Sequence, residues 1–272
     1  MAADSHDERY LRAMLQPLEV CASYRPRLGQ GRGGYTLEQF QTLYRSDPFY
    51  SWVGLDNPLM YAAHKAAGGM TSVYRQIGIG CQALFQLVLR DSLALDATDV
   101  VWSYETPRPD GSGNRTLYLD GRIPISKIAD AGRRATVEAW MRAAASRLNV
   151  ADAIADELRG IVFEVRQGYK SKDAKRQNAD LANAATAYTR AYLPCVAVFS
   201  QQIDHDLVAR YRGARWAILT GAVGANDRMT STYDFMRDVV GYDLAAFFQR
   251  NRARLKREID LVLKALLAAE TT

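Results

Sequence analysis

Three apolar runs in the second half of the sequence alternate with helical segments. The runs are GIVFEVRQ (160–167), LPCVAVF (193–199) and WAILTG (216–221). They are rich in β-branched and aromatic residues, which favour strands. Helical patterns separate them, at about 174–191 and 205–211. Strands that alternate with helices form sheets buried on both faces. We therefore expect an α/β fold.

Two further runs, VVWSYE (100–105) and RTLYLDGRIPI (115–125), flank the turn cluster PRPDGSGN. This arrangement predicts a hairpin. The whole pattern then indicates a mixed central sheet of about five strands flanked by helices. Apolar residues recur at helical spacing over about 70–93 and predict the first core helix.

The same reading predicts the domain organisation. A helical N-terminal extension with a Gly-rich loop (1–69) precedes an α/β domain (70–272). That domain carries a helical insertion at about 126–158 and a helical C-terminal tail. The Gly-rich run GQGRGG (29–34) has neither GxGxxG spacing nor the Lys-Ser/Thr of a phosphate loop, so it does not indicate a nucleotide site.

The net charge, the cysteine spacing and the lengths of the apolar runs limit the kinds of partner and site that this chain can have. Thirty-five Lys and Arg against 30 Asp and Glu give a net charge of +5, which favours an anionic partner. The three cysteines, Cys21, Cys81 and Cys195, lack the spacing of a disulfide framework or a zinc site. No apolar run approaches the ~20 residues of a membrane span, and the polar, acidic N-terminus is unlike a signal peptide. We expect a cytoplasmic protein with no membrane partner.

The surplus positive charge concentrates around the strand 160–167. Its members are Arg159, Arg166, Lys170, Lys172, Lys175 and Arg176. Glu164 and Arg166 are two residues apart on a predicted strand, so their side chains leave the same face of the sheet. An acid and a cation therefore share one site.

The Glu164 carboxylate can hold Mg²⁺ only together with other oxygen ligands, since this ion prefers about six oxygen ligands. Asp120, at the end of TLYLD and before a glycine, is the leading candidate for a second acid. Asp110 and Glu105 are weaker candidates. Two acids that hold a metal beside a cation suit phosphodiester hydrolysis.

The order of core helix, strand, strand with Asp120, strand with Glu164-x-Arg166, helix and strand resembles the PD-(D/E)xK nuclease superfamily. The segment FEVRQGYKSKDAKRQNAD is similar to those that follow the catalytic strand of type II restriction endonucleases, and the resemblance covers about 70–221. It implies that Asp120 and Glu164 bind Mg²⁺ and that a lysine two residues after the second acid assists the attacking water. Position 166 is instead arginine, which stays protonated and cannot act as a base. Lys170 is the competing occupant of that role.

The resemblance thus implies a Mg²⁺-dependent, sequence-specific endonuclease, a type II restriction enzyme that cuts double-stranded DNA as a homodimer. Contacts to DNA are expected from Lys172, Lys175, Arg176, Gln177 and Asn178. Two other classes stay open. One is a non-catalytic nucleic-acid-binding protein that uses the basic segment 159–176, and the other is a structural protein whose Arg-rich helices contact a protein partner.

Overall fold

The computed structural model describes residues 2–28, 33–108, 111–168 and 174–267, with only the helical backbone for 2–5 and 174–181. The described helices are α1 (Ala2–Leu15), α2 (Glu19–Ala22), α3 (Leu37–Ser46), α4 (Pro48–Trp52), α5 (Pro58–Leu93), α6 (Ala131–Arg147), α7 (Asp152–Ala155), α8 (Ala174–Thr189), α9 (His205–Gly213), α10 (Thr232–Phe235), α11 (Leu244–Arg250) and α12 (Arg252–Leu267). The described strands are β1 (Trp102–Pro107), β2 (Asn114–Leu119), β3 (Gly121–Pro124), β4 (Gly160–Arg166), β5 (Tyr192–Val198) and β6 (Ala217–Leu219).

The chain divides into two compact units. One comprises the residues up to 80 and those from 251 onward, and the other is Cys81–Arg250. In its described residues the first unit is helical. Its buried core draws on α2, α5 and α12 through Cys21, Val73 and Leu266. The second unit contains the six described strands.

The second unit holds a four-stranded mixed sheet in the order β3-β4-β5-β6. Strand β3 is antiparallel to β4, whereas β4, β5 and β6 are parallel to one another. Strands β1 and β2 form a separate antiparallel hairpin. The mixed α/β fold is therefore confirmed.

The expectation of one sheet of about five strands is wrong. The predicted run 115–125 breaks at Asp120 into β2, which pairs with β1, and β3, which pairs with β4. A bend at this one residue sends the chain from the hairpin into the central sheet.

Apolar side chains cover both faces of the central sheet. On one face Val162 packs in a buried cluster with Trp102 of the hairpin and Trp216. Its neighbour Phe163 points to the opposite face, because successive side chains of a strand alternate. There the Phe163 ring lies 5.0 Å from that of Phe85 and 5.7 Å from that of Phe235. Glu164 and Arg166, in phase with Val162, leave the face that the hairpin covers.

Close packing at the start of β4 gives a first testable prediction. A Cβ atom at Gly160 would collide with the carbonyl oxygen of Ile123 and with the Tyr192 ring. We expect Gly160→Ala to lower the free energy of unfolding by about 1–3 kcal/mol, since backbone must shift to admit the methyl group. Urea denaturation measures the change. Gly213→Ala is the control, because a Cβ there meets nothing within 4 Å. Equal denaturation midpoints for the two variants would contradict the prediction.

Candidate functional site

The candidate site lies where β3 begins and β4 ends. The register pairs Gly121 with Phe163 in antiparallel strands. One step further along this register, Asp120 comes opposite Glu164. Arg166 is the last residue of β4. The topology therefore places both acids and the cation at one edge of the sheet.

Side-chain contacts join these three residues. The Arg166 guanidinium forms an ion pair with Glu164 through Nη2 and Oε1. Its Nη1 lies 4.0 Å from Oδ2 of Asp120. The exposed fractions of the Glu164, Arg166 and Asp120 side chains are only 8%, 13% and 20%. Two mostly buried carboxylates thus converge on one guanidinium.

Asp120 is also fixed by the backbone and by α5. Its Oδ2 accepts a hydrogen bond of 2.9 Å from the backbone N–H of Val165. Nε2 of Gln86 donates to the backbone carbonyl of Asp120 at 2.7 Å. Sequence reasoning missed Gln86. The available signal was an amide beside the apolar residues Leu84, Phe85 and Val88 of the core helix.

Two further polar groups lie at the end of β5, the strand beside β4. Thr232 Oγ1 donates to the carbonyl of Val198 at 2.8 Å, and the Tyr233 hydroxyl donates to that of Phe199 at 3.0 Å. Burial raises the pKa of Tyr233 to about 12, so the phenol stays protonated at neutral pH. Both groups hold the start of α10 against this edge, a role that the sequence pattern did not indicate.

The other expected site residues follow β4. Lys170 and Lys172 lie outside the described residues. Lys175, Arg176, Gln177 and Asn178 belong to the first half of α8, of which the backbone is described. Helix α8 connects the parallel strands β4 and β5, so it starts at the edge where β4 ends. The N-terminal half of α8 therefore begins at the same edge of the sheet as Glu164 and Arg166.

The alternative acids have different surroundings. Glu105 lies on the hairpin strand β1, where it accepts a hydrogen bond of 3.1 Å from the side chain of Asn114. Asp110 falls outside the described part of the chain. Asp120 is therefore the acid that the described residues bring to Glu164.

The donor set can be compared with what Mg²⁺ requires. Within the described ranges, no group of three or more His, Cys, Asp and Glu side chains gathers in a way that could hold a metal ion. Mg²⁺ usually takes only one or two carboxylates and completes its shell with water and phosphate oxygens. Asp120 and Glu164 fit that requirement in number and in chemistry. The ion pair with Arg166 engages Glu164, so a bound cation would have to compete with the guanidinium.

Comparison of the chain with protein-family models, with curated proteins and with solved structures finds no match. Among the helices of the described ranges, none has the length and apolarity needed to cross a bilayer.

Proposed function

We propose that the protein is a Mg²⁺-dependent endonuclease of the PD-(D/E)xK superfamily that hydrolyses phosphodiester bonds of double-stranded DNA. The observation that carries the proposal is the convergence of Asp120 and Glu164 on the guanidinium of Arg166. The proposal extends to a type II restriction enzyme that acts as a homodimer, in which twofold symmetry matches a palindromic site.

The location of these charges supports a chemical role. A buried ion pair is weak support for stability, because removing two charges from water offsets most of their attraction. A hydrophobic pair at 164 and 166 would continue the apolar face of Val162 without that cost. The presence of an acid–cation pair beside a second acid is therefore better explained by chemistry than by packing.

Each residue has a stated task in the proposed reaction. Asp120 and Glu164 would hold the metal, which supplies activation of water and neutralisation of phosphate charge when bound. The hydrogen bonds from Val165 and Gln86 keep Asp120 in place. Arg166 donates hydrogen bonds to phosphate oxygens and stabilises the negative charge that develops on them. Lys170 is the alternative donor, and cations at 172, 175 and 176 neutralise neighbouring phosphates.

The direct test incubates the purified protein with unmethylated phage DNA, with Mg²⁺ or with EDTA. Discrete fragments that require Mg²⁺ are expected. A Mg²⁺-dependent smear would keep the nuclease and remove the restriction specificity. Intact DNA across a range of salt and pH would reject the proposed activity.

A second candidate function is nucleic-acid binding without catalysis. It is favoured by the engagement of Glu164 with Arg166, since a carboxylate neutralised by an internal cation can be purely structural. This candidate predicts salt-sensitive retention of DNA, with no strand scission. Under it, Glu164→Gln would leave DNA affinity unchanged and would have no activity to remove.

Substitutions at position 166 test whether Arg166 or Lys170 supplies the cation that stabilises charge on the phosphate. We expect Arg166→Met to slow cleavage on the order of 100-fold, because it removes a donor that stabilises transition-state charge. Arg166→Lys keeps the charge and is expected to recover most of the rate. The measurement is single-turnover cleavage of a labelled duplex. Arg142→Met is the control, because Arg142 pairs with Glu138 on the exposed surface of α6. Full activity of Arg166→Met, with loss in Lys170→Ala, would assign the role to Lys170.

A further inference from the structure

An apolar surface on the first unit is exposed to solvent. Phe49 and Trp52 of α4 are 61% and 83% exposed, and Val53, which directly follows the last residue of this helix, is 53% exposed. These positions have i, i+3 and i+4 spacing, so they form one face of the helix. We call Phe49, Trp52 and Val53 the α4 face.

The α4 face is held rigidly against the core of its unit. Asp47 caps α4, since its Oδ1 accepts hydrogen bonds from the backbone N–H of Phe49 at 2.9 Å and Tyr50 at 3.2 Å. The Tyr50 ring stacks on Tyr44 at 4.9 Å, and Tyr44 stacks on the buried Phe40 at 4.2 Å. The apolar face is therefore already ordered, which lowers the entropy lost when a partner binds.

Charge around the α4 face decides between kinds of partner. The sequence from 46 to 64 contains no Lys or Arg, and its two acids are Asp47 and Asp56. Asp47 caps the helix, and Asp56 pairs with Arg45 at 3.4 Å. Nucleic acid requires cations for its phosphates, which this stretch lacks. A second copy of the same face brings apolar surface with no opposing cluster of like charge.

The area of the surface also suits a second copy. Leu43 of α3 and Tyr50 of α4 line one cavity together and are 40% and 38% exposed. With ~150–250 Å² for each whole aromatic side chain and somewhat less for Leu43 and Val53, the exposed fractions of the five residues amount to on the order of 500 Å². That is near the upper range of the largest apolar patch on a monomer, about 300–600 Å². With a polar rim it approaches the roughly 800 Å² that each partner buries in a stable complex.

We propose that two copies of this chain associate through the α4 face in a twofold dimer. The α4 face of one copy packs against that of the other, as an isologous interface requires. This proposal does not depend on the nuclease activity, since the interface residues belong to the first unit and the candidate site to the second.

Tryptophan fluorescence of the full chain gives a local readout. Of the four tryptophans, Trp102, Trp140 and Trp216 are buried, so a soluble quencher reaches Trp52 selectively. We expect acrylamide to quench Trp52 in dilute protein and to lose access as the protein concentration rises into the micromolar range. Sedimentation velocity on the same samples should show conversion from monomer to dimer over the same range.

Variants at the α4 face test the surface itself. Trp52→Glu and Phe49→Glu each introduce two charges into a symmetric interface and are expected to raise the dimer Kd by about 100-fold or more. Both positions are exposed, and circular dichroism checks that the variants fold. Tyr118→Glu is the matched control, because Tyr118 is an aromatic residue exposed on the hairpin. A monomeric wild type at 100 µM, a dimer that survives Trp52→Glu, or protection of Trp52 by duplex DNA in place of self-association would each overturn the proposal.

Discussion

Glu164→Gln is expected to reduce Mg²⁺-dependent DNA cleavage by on the order of 1,000-fold, while binding of DNA is kept. The amide has nearly the size of the carboxylate but no charge, so it neither attracts the cation nor balances Arg166. The largest loss is expected here because Glu164 lies on the central strand β4 and contacts the guanidinium directly. Cleavage of a labelled duplex under single-turnover conditions gives the rate, and binding in Ca²⁺ gives the affinity.

The matched control for this variant is Glu157→Gln. Glu157 is an exposed acid between α7 and β4, so the same loss of charge occurs on the surface of the same unit. Wild-type rates are expected for it. A Glu164→Gln protein that folds and cuts at the wild-type rate would remove Glu164 from the chemistry and favour the binding function.

Phe163→Ala is expected to lower the free energy of unfolding by about 3–5 kcal/mol. The Phe163 side chain is fully buried and contacts Phe85 of α5 and Phe235 of α10. Its removal leaves a cavity between the rings of Phe85 and Phe235, which belong to two different helices and cannot both move inward. Guanidinium denaturation followed by circular dichroism measures the effect.

Ile154→Ala serves as the comparison for Phe163→Ala. Ile154 is a large apolar residue of α7 that is 41% exposed, so its truncation should change the free energy of unfolding by less than about 1 kcal/mol. Similar losses for the two variants would mean that Phe163 does not join the helices to the sheet.

The second half of the fold could be predicted because its signals are local. The run 160–167 became β4, the run 193–199 became β5, and the helix expected from about 174 became α8. Each is a short β-branched or helical pattern bounded by polar residues. The break at Asp120 could not be predicted in this way, because whether 115–125 forms one strand or two depends on which partners each half meets.

The candidate site, too, could be predicted from the sequence only where its residues are neighbours along the chain. The spacing of Glu164 and Arg166 on a strand predicts that they share a face, and their ion pair agrees with that expectation. The approach of Asp120 depends on the register between β3 and β4 and on Gln86 from α5. These long-range contacts leave no periodic signal in the sequence. The thirty-six-residue helix α5 also begins at Pro58, well before the predicted start near 70, because small residues there hide its apolar stripe.

The hydrogen bond from Val165 to Asp120 spans 45 positions of the chain. Everything between these residues, including α6 and α7, must fold back before the acids become neighbours. An early folding intermediate that had formed only α5 and the hairpin would carry Asp120 with no acid beside it. The proposed cleavage activity should therefore appear late during refolding, together with docking of β3 on β4, and should disappear in denaturant at the same midpoint as the sheet.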